Sequence, residues 1–369
     1  MCGIAGLIHK GKQSNVGSQM TSMLQALKHR GPDSTGYAVY SEGKDDEFVM
    51  RVKVAEADDM SSGRGIYAGG QDYGGSYTSR DTAQYYTIST PGSASAYGDL
   101  TAAGRQQTGM SNGTFLLIAG GGGYETTIEY YTIATTADAQ SWGSLCCGPS
   151  GGRYSAAGCA DATRGIFAGG SGPDGQSGPF TNRIQYLSME STGNASDFGD
   201  LTVARQGGGQ MSSNTRGVHF GGGTQSSPYN TDVIDYITIA NTGNATDFGD
   251  VAAGQSRDVQ SCSNLTRGVC AVQYVGSSNA SGLEYVTIAS TGNASSFGSL
   301  STGTYNQDGR RSVSGGSVED RGLWYMGGPS SAWVKDIEYV TISTTGNSTD
   351  FGDTLYPGRQ PQGCSGPVS

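Results

Sequence analysis

Histidine is nearly absent from this chain: His9, His29 and His219 are all it has. A metal centre built from several imidazoles is thereby excluded. Cysteine numbers 7, an odd count with no C-x-x-C pair and no other metal-ligand spacing, so neither a metal site nor a disulfide framework is expected. No cofactor is expected either. Charged residues make up only 15%, and Lys and Arg never cluster, so nothing could track a phosphate backbone and nucleic acid is a poor partner. The net charge of -10 favours solubility instead. Apolar runs are short, the longest near Phe115 to Ala119, far below the roughly 20 residues of a membrane span. The first residues lack the basic start, apolar stretch and cleavage site of a signal peptide, so a cytoplasmic location without membrane insertion is expected.

What the chain does have is glycine, 62 of 369 residues, set among Tyr, Thr, Ile, Val and Phe in short bursts. Strand formers broken up by Gly, Ser, Asn and Asp give many short strands joined by tight turns, so the fold class is mainly β.

A repeat of about fifty residues runs from residue 60 to residue 369. Its first phrase reads SGRGIYAGG at 62, NGTFLLIAGG at 112, ATRGIFAGG at 162, NTRGVHFGG at 214, LTRGVCAVQ at 265 and EDRGLWYMGG at 319. A second phrase of the YVTI type ends at Ile88, Ile133, Met189, Ile239, Ile288 and Ile342. A third, of the FGDL type, begins at Tyr97, Trp142, Phe198, Phe248, Phe297 and Phe351. Each copy predicts four strands: one before the TRG turn, one through the apolar-GG phrase, one through the period-two YVTI phrase and one at FGDL.

Four strands with a Gly-Gly after the second, then a Tyr phrase, an aromatic and an Arg resemble a kelch blade. That Arg recurs as Arg105, Arg153, Arg205, Arg257 and Arg359. Six such copies imply a six-bladed kelch-like β-propeller, with a short α/β segment ahead of it. The inner-strand slot held by Met110, Cys159, Met211, Cys262 and Gly316 has its first-blade counterpart only at Cys364 in the tail. The C-terminal strand is therefore expected to complete blade 1 and close the ring, with Cys159, Cys262 and Cys364 in the core.

Several motifs yield to the repeat. DFG at Asp197, Asp247 and Asp350 has no kinase partner motif and reads as a turn device. The acceptor tripeptides at Asn194, Asn244, Asn293 and Asn347 recur because TGN turns. AGGGGY at 119 is the repeat's own GG extended. His219 stands where other copies have an apolar residue and is expected to be a satisfied core histidine.

Residues 1–59 share nothing with the repeat. Val16, Met20, Met23, Leu24 and Leu27 share one face of a predicted amphipathic helix, between a strand at MCGIAGLI and a turn and strand at HRGPDSTGYAVY. MCGI at the start and HRGPDSTG at 29 resemble class II glutamine amidotransferases, N-terminal nucleophile hydrolases with an αββα core. The resemblance implies that Cys2, freed of Met1, attacks the glutamine amide with its own α-amino group as base, releasing ammonia. It also implies that His29, Arg30 and Asp33 shape the glutamine pocket. The family's later Asn-Gly and Asp elements have no counterpart before the propeller begins; Asn112–Gly113 sits in register with the repeat.

Two functions follow as expectations. The first is a binding or structural propeller acting through the loops after each GG, with Tyr73, Tyr77, Phe180 and Tyr229 as contacts for a protein or glycan surface. Its charge-poor repeats resemble structural repeat proteins of bacterial viruses, which implies a virion tail or receptor-binding part. The second is a glutamine-hydrolysing amidotransferase working through Cys2.

Overall fold

The structure is a computed structural model. It describes residues 37–38, 51–52, 63–71, 78–146, 152–172, 180–257, 259–275, 278–301, 314–325, 327, 334–358 and 362–364. The chain divides into two compact units, Met1–Ser62 and Gly63–Ser369. In the first, β1 (Tyr37–Ala38) pairs antiparallel with β2 (Arg51–Val52). The helix predicted around Val16 to Leu27 lies outside the described residues.

The second unit is a six-bladed β-propeller, and among the described residues there is no α-helix. Blade 1 contains β3 (Arg64–Ala68), β4 (Arg80–Thr87) and β5 (Ser95–Gly104). Blade 2 is β6 (Thr108–Ser111), β7 (Phe115–Ala119), β8 (Thr127–Thr132) and β9 (Gln140–Ser144). Blade 3 is β10 (Ala157–Ala160), β11 (Arg164–Ala168), β12 (Arg183–Ser188) and β13 (Ser196–Asp200). Blade 4 is β14 (Gly209–Ser212), β15 (Arg216–Gly223), β16 (Asn230–Thr238) and β17 (Thr246–Asp250). The short β18 (Ser256–Arg257) then bridges Thr231 of blade 4 to Tyr274 and Val275 of blade 5, merging two blades into one sheet. Blade 5 is β19 (Gln260–Ser263), β20 (Arg267–Val275), β21 (Ser278–Thr287) and β22 (Ser295–Ser299). Blade 6 is β23 (Ser314–Val318), β24 (Arg321–Tyr325), β25 (Asp336–Thr341) and β26 (Thr349–Asp353). Finally β27 (Gln362–Cys364) lies antiparallel on β3, with Cys364 opposite Ile66, and supplies the inner strand of blade 1.

Every blade must bury both faces against its neighbours, so its second strand is mostly apolar and buried, as in Leu116 to Ala119. The six apolar cores lie between blades. One joins Tyr67 and Ile88 of blade 1 to Leu323, Tyr325 and Phe351 of blade 6, with Tyr67 stacked on Tyr325 at 4.7 Å.

Three polar devices repeat at these seams. In the third strand a buried acid or amide, Gln84, Glu129, Gln185, Asp235, Glu284 or Glu338, accepts a backbone N–H from the exit of the preceding blade. The TRG arginines stack on a tyrosine of their own blade and donate to a carbonyl of the next, as Arg216 does over Tyr236 at 4.2 Å and to Ile288 at 3.0 Å. Blade 2 lacks this arginine; Phe115 packs edge-on against Tyr130 and Trp142 instead. The third device is the Asn of TGN: Asn194, Asn244, Asn293 and Asn347 accept N–H bonds from Ser144, Asp200, Asp250 and Ser299 of the preceding blade. The glycine of each DFG-type phrase lies against the backbone of the next blade's three-to-four turn, and a methyl at Gly143 or Gly298 would overlap the carbonyl of Gly193 or Gly346. DFG is a close-packing device.

Cys159 and Cys262 are buried and free, and burial pushes the Cys262 thiol up. The side chain of Cys364 lies outside the described residues. Cys146 is disulfide-bonded, a pairing that the cysteine spacing did not announce. His219 corrects a second expectation. It is buried as expected but not satisfied, since neither ring nitrogen has a hydrogen-bond partner.

Candidate functional site

In a four-stranded antiparallel blade the connections from strand two to three and from strand four to the next blade share one end. The connections from one to two and from three to four share the other. These two ends of the propeller differ in kind.

At the second end the turns repeat. Asn112, Asp161, Ser213 and Asn264 each accept backbone N–H bonds from the residues two and three positions on, which fixes the turn ahead of the TRG strand. Asn112 and Gly113 are thus engaged as a turn, with the Asn112 amide oxygen bound to Thr114 and Phe115. The same short turn chemistry thus recurs in blades 2 to 5.

At the first end the connections vary, spanning 69–79, 120–126, 169–182, 224–229, 276–277 and 326–335. Among the described residues, both aromatic side chains that are exposed lie on this loop face. Tyr229 is 62% exposed and Tyr356 41%, while among the described residues the large exposed apolar residue on the turn face is Leu265. Tyr356 lies under the Arg80 guanidinium at 4.4 Å, and the rings of Tyr124 and Tyr154 meet at 5.3 Å. Aromatic rings held in place give contact area at small entropic cost.

The Tyr229 segment is internally braced. Thr224 donates its N–H to the Tyr229 carbonyl at 2.9 Å, and Tyr229 donates to Ser226 at 2.8 Å. Tyr229 itself has φ of 67°, a left-handed conformation, and its ring is exposed. Gln225 accepts the Phe180 N–H at 3.3 Å, so Phe180 of blade 3 and the Tyr229 segment of blade 4 are tied together. Of the sequence-predicted contacts the structure joins these two; Tyr73 and Tyr77 lie outside the described residues.

The recurring exit arginines brace the roots of these loops. Arg153 donates to the carbonyls of Gly169 and Arg183, where the 169–182 connection begins and ends. Burial pushes its guanidinium down to about 10, with Arg183 adding to the shift and Asp197 opposing it. Arg205 donates to Val233 at 2.7 Å and is ion-paired with Asp235, both side chains fully buried. Burial takes Arg205 to about 10 as well, against the pull of Asp235, so both remain cationic at neutral pH. Sequence reasoning found these arginines but missed the buried acids opposite them, whose signal was the D, E or Q before each tyrosine of the third strand.

The inner strands line an axial cavity of about 70 Å³ formed mostly by glycine, alanine and serine, with Gln210 and Gln260 also in its wall, room for a few waters at most. The hydroxyls of Ser212, Ser263 and Ser317 donate to Ala160, Ser212 and Ser263 of the neighbouring strands, so they stitch the ring rather than face a ligand. Among the described residues no three His, Cys, Asp or Glu side chains converge on a metal position. No helix among them is long and apolar enough to cross a membrane.

Cys2, His29, Arg30 and Asp33 lie outside the described residues. No protein-family model matches the chain. Its N-terminal region is similar to a curated protein of Methanothermobacter thermautotrophicus described as "Putative glutamine amidotransferase", with 46% identity over 59 residues. The match covers 15% of this chain and 19% of that relative, so the chain spans about a fifth of the protein it resembles.

Proposed function

We propose that this chain is a binding or structural protein that recognises a protein or glycan surface through the loop face of its propeller. The observation that carries the reading is the asymmetry between the ends: variable connections and exposed aromatics on one, a turn repeated in blades 2 to 5 on the other. Phe180 and Tyr229 form the leading contact pair, and Tyr73 and Tyr77 belong to the equivalent connection of blade 1. The blade pattern supports a kelch-like ancestry. The scarcity of charge and abundance of small polar residues support a tail or receptor-binding part of a bacterial virus, made in the cytoplasm and carried in the virion.

The test is binding of the full chain to bacterial cells and to purified cell-surface polysaccharide, with Tyr229→Ala beside Leu265→Ala. Saturable binding that Tyr229→Ala weakens and Leu265→Ala leaves intact is the expected result. Binding weakened only by Leu265→Ala would move recognition to the turn face and refute the reading.

The N-terminal match favours a second reading, a glutaminase working through Cys2, with His29, Arg30 and Asp33 around the glutamine. Ammonia release from glutamine that vanishes in Cys2→Ala, with Met1 absent by intact mass, is its expected signature. Absence of release from a protein lacking Met1 would end it.

A further inference from the structure

One position in the second strands departs from the others in chemistry. Its occupants are Tyr67, Ile118, Phe167, Cys270 and Trp324, each packed into the seam with the preceding blade, and in blade 4 it is His219. The ring is 3% exposed, and neither Nδ1 nor Nε2 has a hydrogen-bond partner. It stands in register opposite Asp235 on β16 and opposite Gln210 on β14. Asp235 is already committed, accepting from Arg205 and from the backbone and hydroxyl of Thr202. Arg205 reaches into the same seam from the exit of blade 3. The charged groups facing the imidazole are therefore Arg205 and Asp235; the flanking inner strands β10 and β14 carry none.

We infer that His219 makes the seam between blades 3 and 4 an acid-sensitive joint: protonating its ring beside the buried Arg205 opens this seam while the other five stay closed. A charged imidazole there would be a second buried cation sharing one carboxylate that already accepts from Arg205 and Thr202. Opening lets water solvate it. Burial, with Arg205 adding to it, holds the imidazole well below its ordinary value, which agrees with a ring kept neutral by the fold. The sign follows from linkage. With the folded value depressed, stability at this seam is complete above about pH 6.5 and falls as pH drops below it. One extra proton taken up on opening raises the open population about tenfold per pH unit through that window. The joint also lies under the candidate binding surface, since β15 leads directly into the segment that presents Tyr229.

Hydrogen exchange on the full chain tests this. Uptake of peptides covering 205–238 is compared between the wild type and His219→Phe at the same pH, so the intrinsic pH dependence of exchange cancels. The ratio is expected to be flat from pH 8 to 7 and to rise about tenfold per unit below about 6.5, in this seam alone. A ratio constant with pH overturns the proposal. So does a rise shared by all six blades, which would be global unfolding. Should His219→Phe fold poorly, His219→Gln is the second comparator: it cannot titrate, and acid sensitivity retained in it would assign the effect to another group and refute the inference.

Discussion

Arg321 donates from Nη1 to the carbonyl of Ile88 at 2.6 Å, although 233 residues separate them in sequence. The bond joins the second strand of blade 6 to the residue that follows the third strand of blade 1, and the guanidinium lies 4.7 Å from the Tyr339 ring centre. Blade 1 is the only blade assembled from both ends of the propeller, so it is held by β27 and by bonds across this seam. Leu355 donating to Gln84 and Ala94 donating to Asp353 are two more. Arg321→Ala is expected to cost about 2 kcal/mol, the sum of a charged hydrogen bond and a cation–π contact. Urea denaturation measures it, and a loss under about 0.5 kcal/mol would show that water replaces the bond.

Backbone contact between blades gives a paired prediction. A methyl at Gly298 would overlap the Gly346 carbonyl, whereas one at Gly346 meets nothing within 4 Å. Gly298→Ala is expected to cost about 1 to 3 kcal/mol, and Gly346→Ala to stay within about 0.5 kcal/mol. Thermal melts of the two variants decide the point, because equal losses would mean that neighbouring blades shift apart freely.

The propeller was legible because its signal is multiplied. A lone YVTI or FGD means little, but six in register define strands two to four, and the Met and Cys slot placed β27 opposite β3 as a counting matter. What escaped was anything that depends on the neighbouring blade. Glu338 reads locally as a polar residue in an alternating strand, and only the packed ring brings Ser301 from the preceding blade onto it. His219 failed for the same reason: its apolar slot predicted burial, while its lack of a partner depends on Asp235 being occupied by Arg205 and Thr202. The β18 bridge between blades 4 and 5 was hidden because two residues of strand carry no periodicity.

Glu129 offers a test of the buried acids. It accepts the Thr101 N–H at 3.2 Å through one oxygen, and burial raises its carboxyl above the ordinary value, opposed by that bond. A raised folded value means stability that is complete below the unfolded value of about 4.3 and is lost as pH rises through the folded one. Glu129→Gln keeps an acceptor and removes the charge, as Gln84 and Gln185 do in blades 1 and 3. Its melting temperature is expected to match the wild type at pH 4 and exceed it at pH 7. A gap that closes on going to neutral pH would contradict the assignment.

The last prediction separates a turn device from a modification site. Asn293 begins an acceptor tripeptide, yet its amide oxygen takes the Asp250 N–H at 3.1 Å across the seam between blades 4 and 5. Only an acceptor is needed there, and the equivalent position in blade 2 is filled by Asp138, which takes the Asp99 N–H at the same 3.1 Å. Asn293→Asp is therefore expected to hold stability within about 0.5 kcal/mol, while Asn293→Ala loses about 0.5 to 1 kcal/mol by leaving Asp250 without that partner. Denaturation of both variants checks the order. If Asp and Ala weaken the ring equally, the side-chain nitrogen matters and the acceptor account of TGN is wrong.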